Sequence, residues 1–155
     1  NKNIAKVAIR RIPDRPGVAA QIFSALGSKG INIRLIIQSI AADGLNDISV
    51  VVSREFVKQA AEVLEGQRKS LKAKEIVFHD KLAEVSIVGS GIASTPGVAA
   101  RMFKTLAKEK INIDLISSSE VRITCVIDEQ RTPDAIRALH KEFRLEKLQR
   151  GLARK

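Results

Sequence analysis

The chain has 155 residues, 45% of them apolar and 28% charged, and its 27 Lys and Arg outnumber 17 Asp and Glu to leave a formal net charge of +10. That balance fits an ordinary folded domain and excludes a fibrous or disordered chain. No apolar run nears the roughly 18 residues of a membrane span, NKNIAKVAIRR at the N-terminus has no signal-peptide core, and the single cysteine, Cys125, admits no internal disulfide, so a cytoplasmic location without membrane contact is expected.

In chain order, IAKVAIRRI (4–12) alternates as a strand. PGVAAQIFSALGSKG follows, with Val18, Ile22, Phe23 and Leu26 at helical spacing, Asp14 as candidate N-cap, Pro16 in the first turn and Gly30 at the exit. INIRLIIQSI (31–40) reads as a strand, AADGLN as a turn around Asp43-Gly44, and DISVVVS (47–53) as its hairpin partner. REFVKQAAEVLEGQ (54–67) is a helix with Phe56, Val57, Ala60, Val63 and Leu64 inward, and KEIVFH (74–79) a fourth strand. The order is β-α-β-β-α-β.

The pattern then starts again. Sliding the chain by 80 positions lays 16–38 on 96–118 with 12 of 23 residues identical, PGVAA and INI among them. A period that long is no solenoid unit; it marks two similar small modules. The second comprises AEVSIVG (83–89), a helix from Pro96 to Lys110, INIDLISSS (111–119), VRITCVID (121–128) and a helix through TPDAIRALHKEF (132–143). Its closing strand is missing: RLEKLQRGLARK has no alternation, so either this tail pairs irregularly or an edge strand comes from elsewhere, such as chain upstream of Asn1. The expected fold is α+β: two tandem ferredoxin-like βαββαβ units, with antiparallel sheets and helices on one face, spanning 1–80 and 81–145 and followed by a basic tail at 146–155.

Other chemistries find little support. The tail concentrates Lys141, Arg144, Lys147, Arg150, Arg154 and Lys155 against Glu142 and Glu146, which suits phosphates. Yet the chain has no Trp or Tyr, and its five Phe occupy apolar positions of the pattern instead of forming a stacking row, which argues against a nucleic-acid partner. VGSGIAS (88–94) has Ser94 where a dinucleotide loop needs its third glycine. His79 and His140 stand apart, without neighbours at metal-ligand spacing, and Cys125 sits in the apolar run VRITCVI as a buried structural thiol. No catalytic residue, metal or cofactor is expected.

DRPGVAAQIFSALGSKGINI with LIIQSI and DGLNDISVVV, followed by EVSIVGSGIASTPGVAARMFKTLAKEKINIDLISSSEVRITCVID, resembles the paired ACT domains at the C-terminus of aspartate kinase over roughly residues 4–145. The kinase domain itself, with its ATP site, has no counterpart in this chain. The resemblance implies a regulatory subunit or regulatory region that binds L-threonine, L-lysine or both and restrains a kinase phosphorylating L-aspartate. It also implies homodimerisation and a catalytic domain or subunit as partner. An ACT-like assembly domain without a ligand is the other reading.

A helix start offers backbone N–H groups and a positive dipole end to a carboxylate, and an ammonium needs oxygens such as those of Asp14. By position, the resemblance assigns Asp14, Arg15, Pro16, Gly17 and Val18 to the effector loop and Asn32 and Gln38 to the neighbouring strand. It gives Asn112, Ile113 and Asp114 to a partner chain's second module. Lysine-responsive relatives add Ser117, Ser118, Ser119 and Glu120, with Glu120 facing an ε-ammonium. Each has a purely structural alternative: Asp14 as a helix cap, Asn32 and Asn112 as strand entrances, Gln38 as a solvent-facing residue. Module two carries Ser94 and Thr95 where module one has Asp14 and Arg15, so unequal sites are expected, with the first module's loop the stronger.

Overall fold

The computed structural model describes residues 1–40, 43–92 and 94–143. The chain divides into two compact units, one of Asn3–Leu82, the other of Asn1–Lys2 with the residues from Ala83 onward.

In the first unit β1 (Ile4–Pro13) leads to α1 (Val18–Gly27), β2 (Ile33–Ile40), β3 (Leu45–Val52), a short turn of 3-10 helix at Arg54–Phe56, α2 (Val57–Leu71) and β4, which spans Glu75–Val88. The strand order is β2-β3-β1-β4, with antiparallel neighbours. Alternation decides which side chains face the helices. Ala5, Val7 and Ile9 of β1 and Ile48, Val50 and Val52 of β3 share a core with Val18, Ile22 and Leu26 of α1 and Val57, Ala60, Leu64 and Leu71 of α2. Phe23, Phe56 and Val63 pack on it from the half-buried margin. α2 runs four residues beyond the expected Gln67, and Arg68 and Lys69 in its last turn complement the negative end of the helix.

The second unit takes β4 from Ala83 on, then α3 (Val98–Lys108), β5 (Leu115–Ser119), β6 (Arg122–Asp128), a turn of 3-10 helix at Glu129–Arg131 and α4 (Thr132–Phe143), with strand order β4-β6-β5. Val85, Ile87, Ile123, Cys125 and Ile127 pack against Met102, Leu106, Ala135 and Leu139. Cys125 is the expected buried thiol, and burial pushes its pKa up to about 11. Asn1 docks on β4, its ammonium donating to the Glu84 carbonyl at 2.9 Å while the Glu84 N–H returns to the Asn1 carbonyl.

Three expectations need correction. The strands expected at 74–79 and 83–89 are one, because Asp80-Lys81-Leu82 contains no breaker; the ladder absorbs the misfit with one extra residue on β4, where Ile4 pairs Leu82 but Lys6 pairs His79. Asp14 does not cap α1. The N-cap is Gly17, at φ 92°, which places Pro16 ahead of the helix, and its twin Gly97 caps α3 at φ 85°. Phe78, expected among the apolar positions, is 45% exposed. Among the described residues no strand follows α4; the residues from 144 on, with the basic tail, lie outside them.

Candidate functional site

The repeated PGVAA has a backbone cause. Proline restricts the residue before the cap, glycine takes a left-handed conformation that other residues adopt at a cost, and small alanines fill the first turn. At α1 no side chain caps the helix and the first turn holds no acidic residue. The first helical bond is the Gln21 N–H to the Gly17 carbonyl at 2.9 Å, so the N–H groups of Val18, Ala19 and Ala20 find no acceptor within the helix. A Cβ built on Gly17 would meet nothing, so the space beside the loop is open. This is a place where an anionic group gains from both backbone donors and dipole.

The start of β3 grips this loop. The Asp14 N–H donates to the Gly44 carbonyl at 2.9 Å, and Asn46 Nδ2 donates to Asp14 Oδ1 at 3.0 Å. Upstream, Ile9 pairs Ile48 while Ile12 pairs Asn46, three steps on β1 against two on β3. The extra residue forms a bulge with Arg11 at φ 53°. Asp47 holds it, accepting the Arg11 N–H at 2.7 Å and the Arg10 guanidinium at 2.9 Å, while Arg11 pairs Asp43 at 2.8 Å. On the far side, the Arg15 guanidinium donates to the Ser70 carbonyl at 3.0 Å, and Gln21 reaches Gln67 and Ser70. The loop is thereby fastened to β3 and to the C-terminal end of α2.

The Arg11 N–H holds the Asp47 carboxyl below its ordinary value of 3.8, burial opposes, and Arg10 adds to the lowering. A carboxyl depressed in the folded state contributes stability above its unfolded pKa and loses it as pH falls through the folded one. Asp47→Asn should therefore lower the melting temperature at neutral pH and narrow its gap to the wild type on acidification; a gap that stays constant through the carboxylate range would contradict this role.

The effector candidates separate within the first unit. Ile33 pairs Val52, which pairs Ala5, whereas Ile40 pairs Asn46, which pairs Ile12. Asn32, exposed ahead of β2, thus lies at the end of the sheet opposite Asp14, whereas Gln38, exposed and paired with Ile48, lies toward the loop. The expected set on β2 is not brought together in this unit, because a strand of this length carries its two ends apart.

In the second unit Asn112 and Ile113 precede β5, and the Asp114 N–H donates to the Val126 carbonyl at 2.8 Å. Ser117, Ser118 and Ser119 pair Thr124, Ile123 and Arg122, and Glu120 with Val121 makes the hairpin turn. Ser94 is used locally, bonding the Gly91 carbonyl at 3.1 Å. A cleft of about 460 Å³ near the α3 start is lined by Ile87, Ile92, Thr95, Val98, Arg101 and Phe143, among others, with the Arg101 guanidinium 4.6 Å above the Phe143 ring. The roles of Asn46 and Asp47 escaped the reading of the sequence, where Asn46 fell in the turn AADGLN and Asp47 opened the strand DISVVVS; a polar side chain entering an otherwise apolar strand was the available signal.

The ACT domain profile matches residues 10–67 and 85–143. The chain belongs to the ACT-domain family. As an ACT pair it is 42% identical over 94% of its length to the aspartate kinase of Pseudomonas fluorescens, of which it spans 35%, so it covers about a third of the curated relatives it matches. Among solved structures it is similar to the crystal structure of aspartokinase alpha and beta subunits, with TM-score 0.88 and 42% identity over 93% of this chain and 95% of that one. It is also similar to the ligand-free regulatory subunit of aspartate kinase from Thermus thermophilus, with TM-score 0.87 and 37% identity over 92% and 94%. These ACT modules thus match the regulatory part of aspartate kinases. Among the described residues no helix is long and apolar enough to cross a membrane.

Proposed function

We propose that the chain senses a small amino acid, L-threonine alone or with L-lysine, and through it restrains a cytoplasmic aspartate kinase that phosphorylates L-aspartate with ATP at the head of lysine, threonine and methionine synthesis. The observation that carries this reading is the open start of α1 with Asp14 in the loop that leads to it: backbone N–H groups with no acceptor within the helix for a carboxylate, and an aspartate three residues before the cap for an ammonium. The pairing of opposite charges at one turn selects a zwitterion over a simple anion. Asn112, Ile113 and Asp114 of a second copy are proposed to complete the site, and Ser117 to Glu120 to extend it for a longer side chain. Restraint requires the effector to bind the inactive arrangement more tightly, since equal affinity shifts nothing.

The edge strands give the assembly reading its support. β2 and β5 each end a strand order, and Ile36 and Ile116, 80 positions apart, stand 51% and 49% exposed on them. Such edges gain from pairing with a second copy, so a homodimer is proposed whether or not a ligand binds.

Thermal unfolding and calorimetry with L-threonine, L-lysine and both, against L-serine and D-threonine, test the sensor. Ligand at a hundred times its dissociation constant adds about 2.7 kcal/mol to the folded state. A selective upward shift supports an amino-acid sensor; no shift in a folded, dimeric sample leaves the assembly domain. Nucleic-acid binding that collapses with added salt would favour the basic tail as the working part.

A further inference from the structure

We infer that Asn46 is a positioning residue of the effector site: it orients the Asp14 carboxylate so that one oxygen is held by the protein and the other is presented to an incoming ammonium. This rests on the amino-acid-sensing reading above. Asn46 is only 4% exposed, yet its side chain is half used: Nδ2 donates to Asp14 Oδ1, while Oδ1 is buried with no hydrogen-bond partner among the described residues. Burying a polar atom unpaired is costly, and an apolar residue of similar volume would avoid that cost entirely.

The location makes the cost intelligible. Asn46 sits where β3 is paired on both sides, with Ile12 and with Ile40, so its Cα is fixed by two ladders. From there its amide meets Asp14, an exposed residue whose backbone N–H is also tethered to the Gly44 carbonyl. A free aspartate on a loop samples several rotamers; one carboxylate oxygen pinned at 3.0 Å from a buried donor does not. With Oδ1 held, the second oxygen is left for an ammonium on a carboxylate whose orientation is already set, so less freedom is lost on binding. The polar atom sacrificed inside is thus matched by order gained at the surface.

The test compares wild type with Asn46→Leu and, as a second apolar variant in case the first packs badly, Asn46→Val. L-Threonine and L-lysine affinities are measured by calorimetry, and the ligand-free melting temperature is measured in parallel. The expected result is an effector affinity about tenfold weaker in a variant whose ligand-free melting temperature is unchanged or raised, because the orphaned oxygen is gone. A residue that merely packs would move both readouts downward together, and that result in both variants overturns the assignment. Affinity within twofold of wild type overturns it equally. If wild type binds neither amino acid, the sensing reading fails first and this inference falls with it.

Discussion

Leu64→Ala should lower the stability of the first unit by about 2–5 kcal/mol, the range for deleting a buried leucine whose surroundings collapse only partly. Leu64 is fully buried on α2, in the cluster that joins the helices to β1 and β3, so its removal opens space within a core that also contains Ile9, Ile22, Leu26 and Val50. For a unit of this size each kcal/mol moves the melting temperature by roughly 4–8 °C, so a drop of about 10 °C or more is expected. Val63→Ala, one residue earlier at the half-buried margin, serves as the control and should cost far less. A Leu64→Ala protein melting within about 2 °C of wild type would mean that this cluster is not the core of the unit.

Asp14→Asn should weaken L-threonine binding roughly 10- to 100-fold, the loss expected when a hydrogen bond to a charged partner becomes a neutral one in a partly shielded site. The isosteric amide is more telling than alanine. It keeps an oxygen for Asn46 Nδ2, so the loop retains its tether and only the charge is removed, whereas Asp14→Ala also strands the buried Asn46 donor and confounds binding with folding. The ligand-free melting temperature of Asp14→Asn should accordingly stay close to wild type. Calorimetry showing full affinity in that variant would remove Asp14 from the ammonium subsite and shift attention to the carbonyl groups of the loop.

Much of the architecture was legible because it rests on periodicity and repetition. Val18, Ile22 and Leu26 at helical spacing, and Ile48, Val50 and Val52 in alternation, name their own buried faces, and the 80-residue slide doubles the information for each module. Local chemistry was harder to read. Asp14 stands just before the helix and has the side chain of a good cap, but Pro16 and Gly17 intervene, and a glycine at φ 92° starts the helix without help. The continuity of β4 was hidden because a bulge lets Asp80-Lys81-Leu82 pass through a ladder that strict alternation would have ended. Asn32 and Gln38 were assigned together by the resemblance; the register shows Asn32 just ahead of β2 and Gln38 toward its other end. Asn46 was invisible as a tether because its partner lies 32 residues away, joined through a hairpin and a bulge whose combined register no local pattern encodes.

The glycine caps at φ 92° and 85° also limit how such a module can drift. Any L-residue placed at Gly17 or Gly97 must hold a left-handed backbone costing about 1–2 kcal/mol, although neither position lacks room for a side chain. The donors at the helix start belong to the main chain and survive most point changes around them. Inherited differences in response between two such proteins would therefore accumulate in the few side chains that frame those donors, while the pentapeptide itself stays nearly silent, a fixed socket around which selectivity is rewritten.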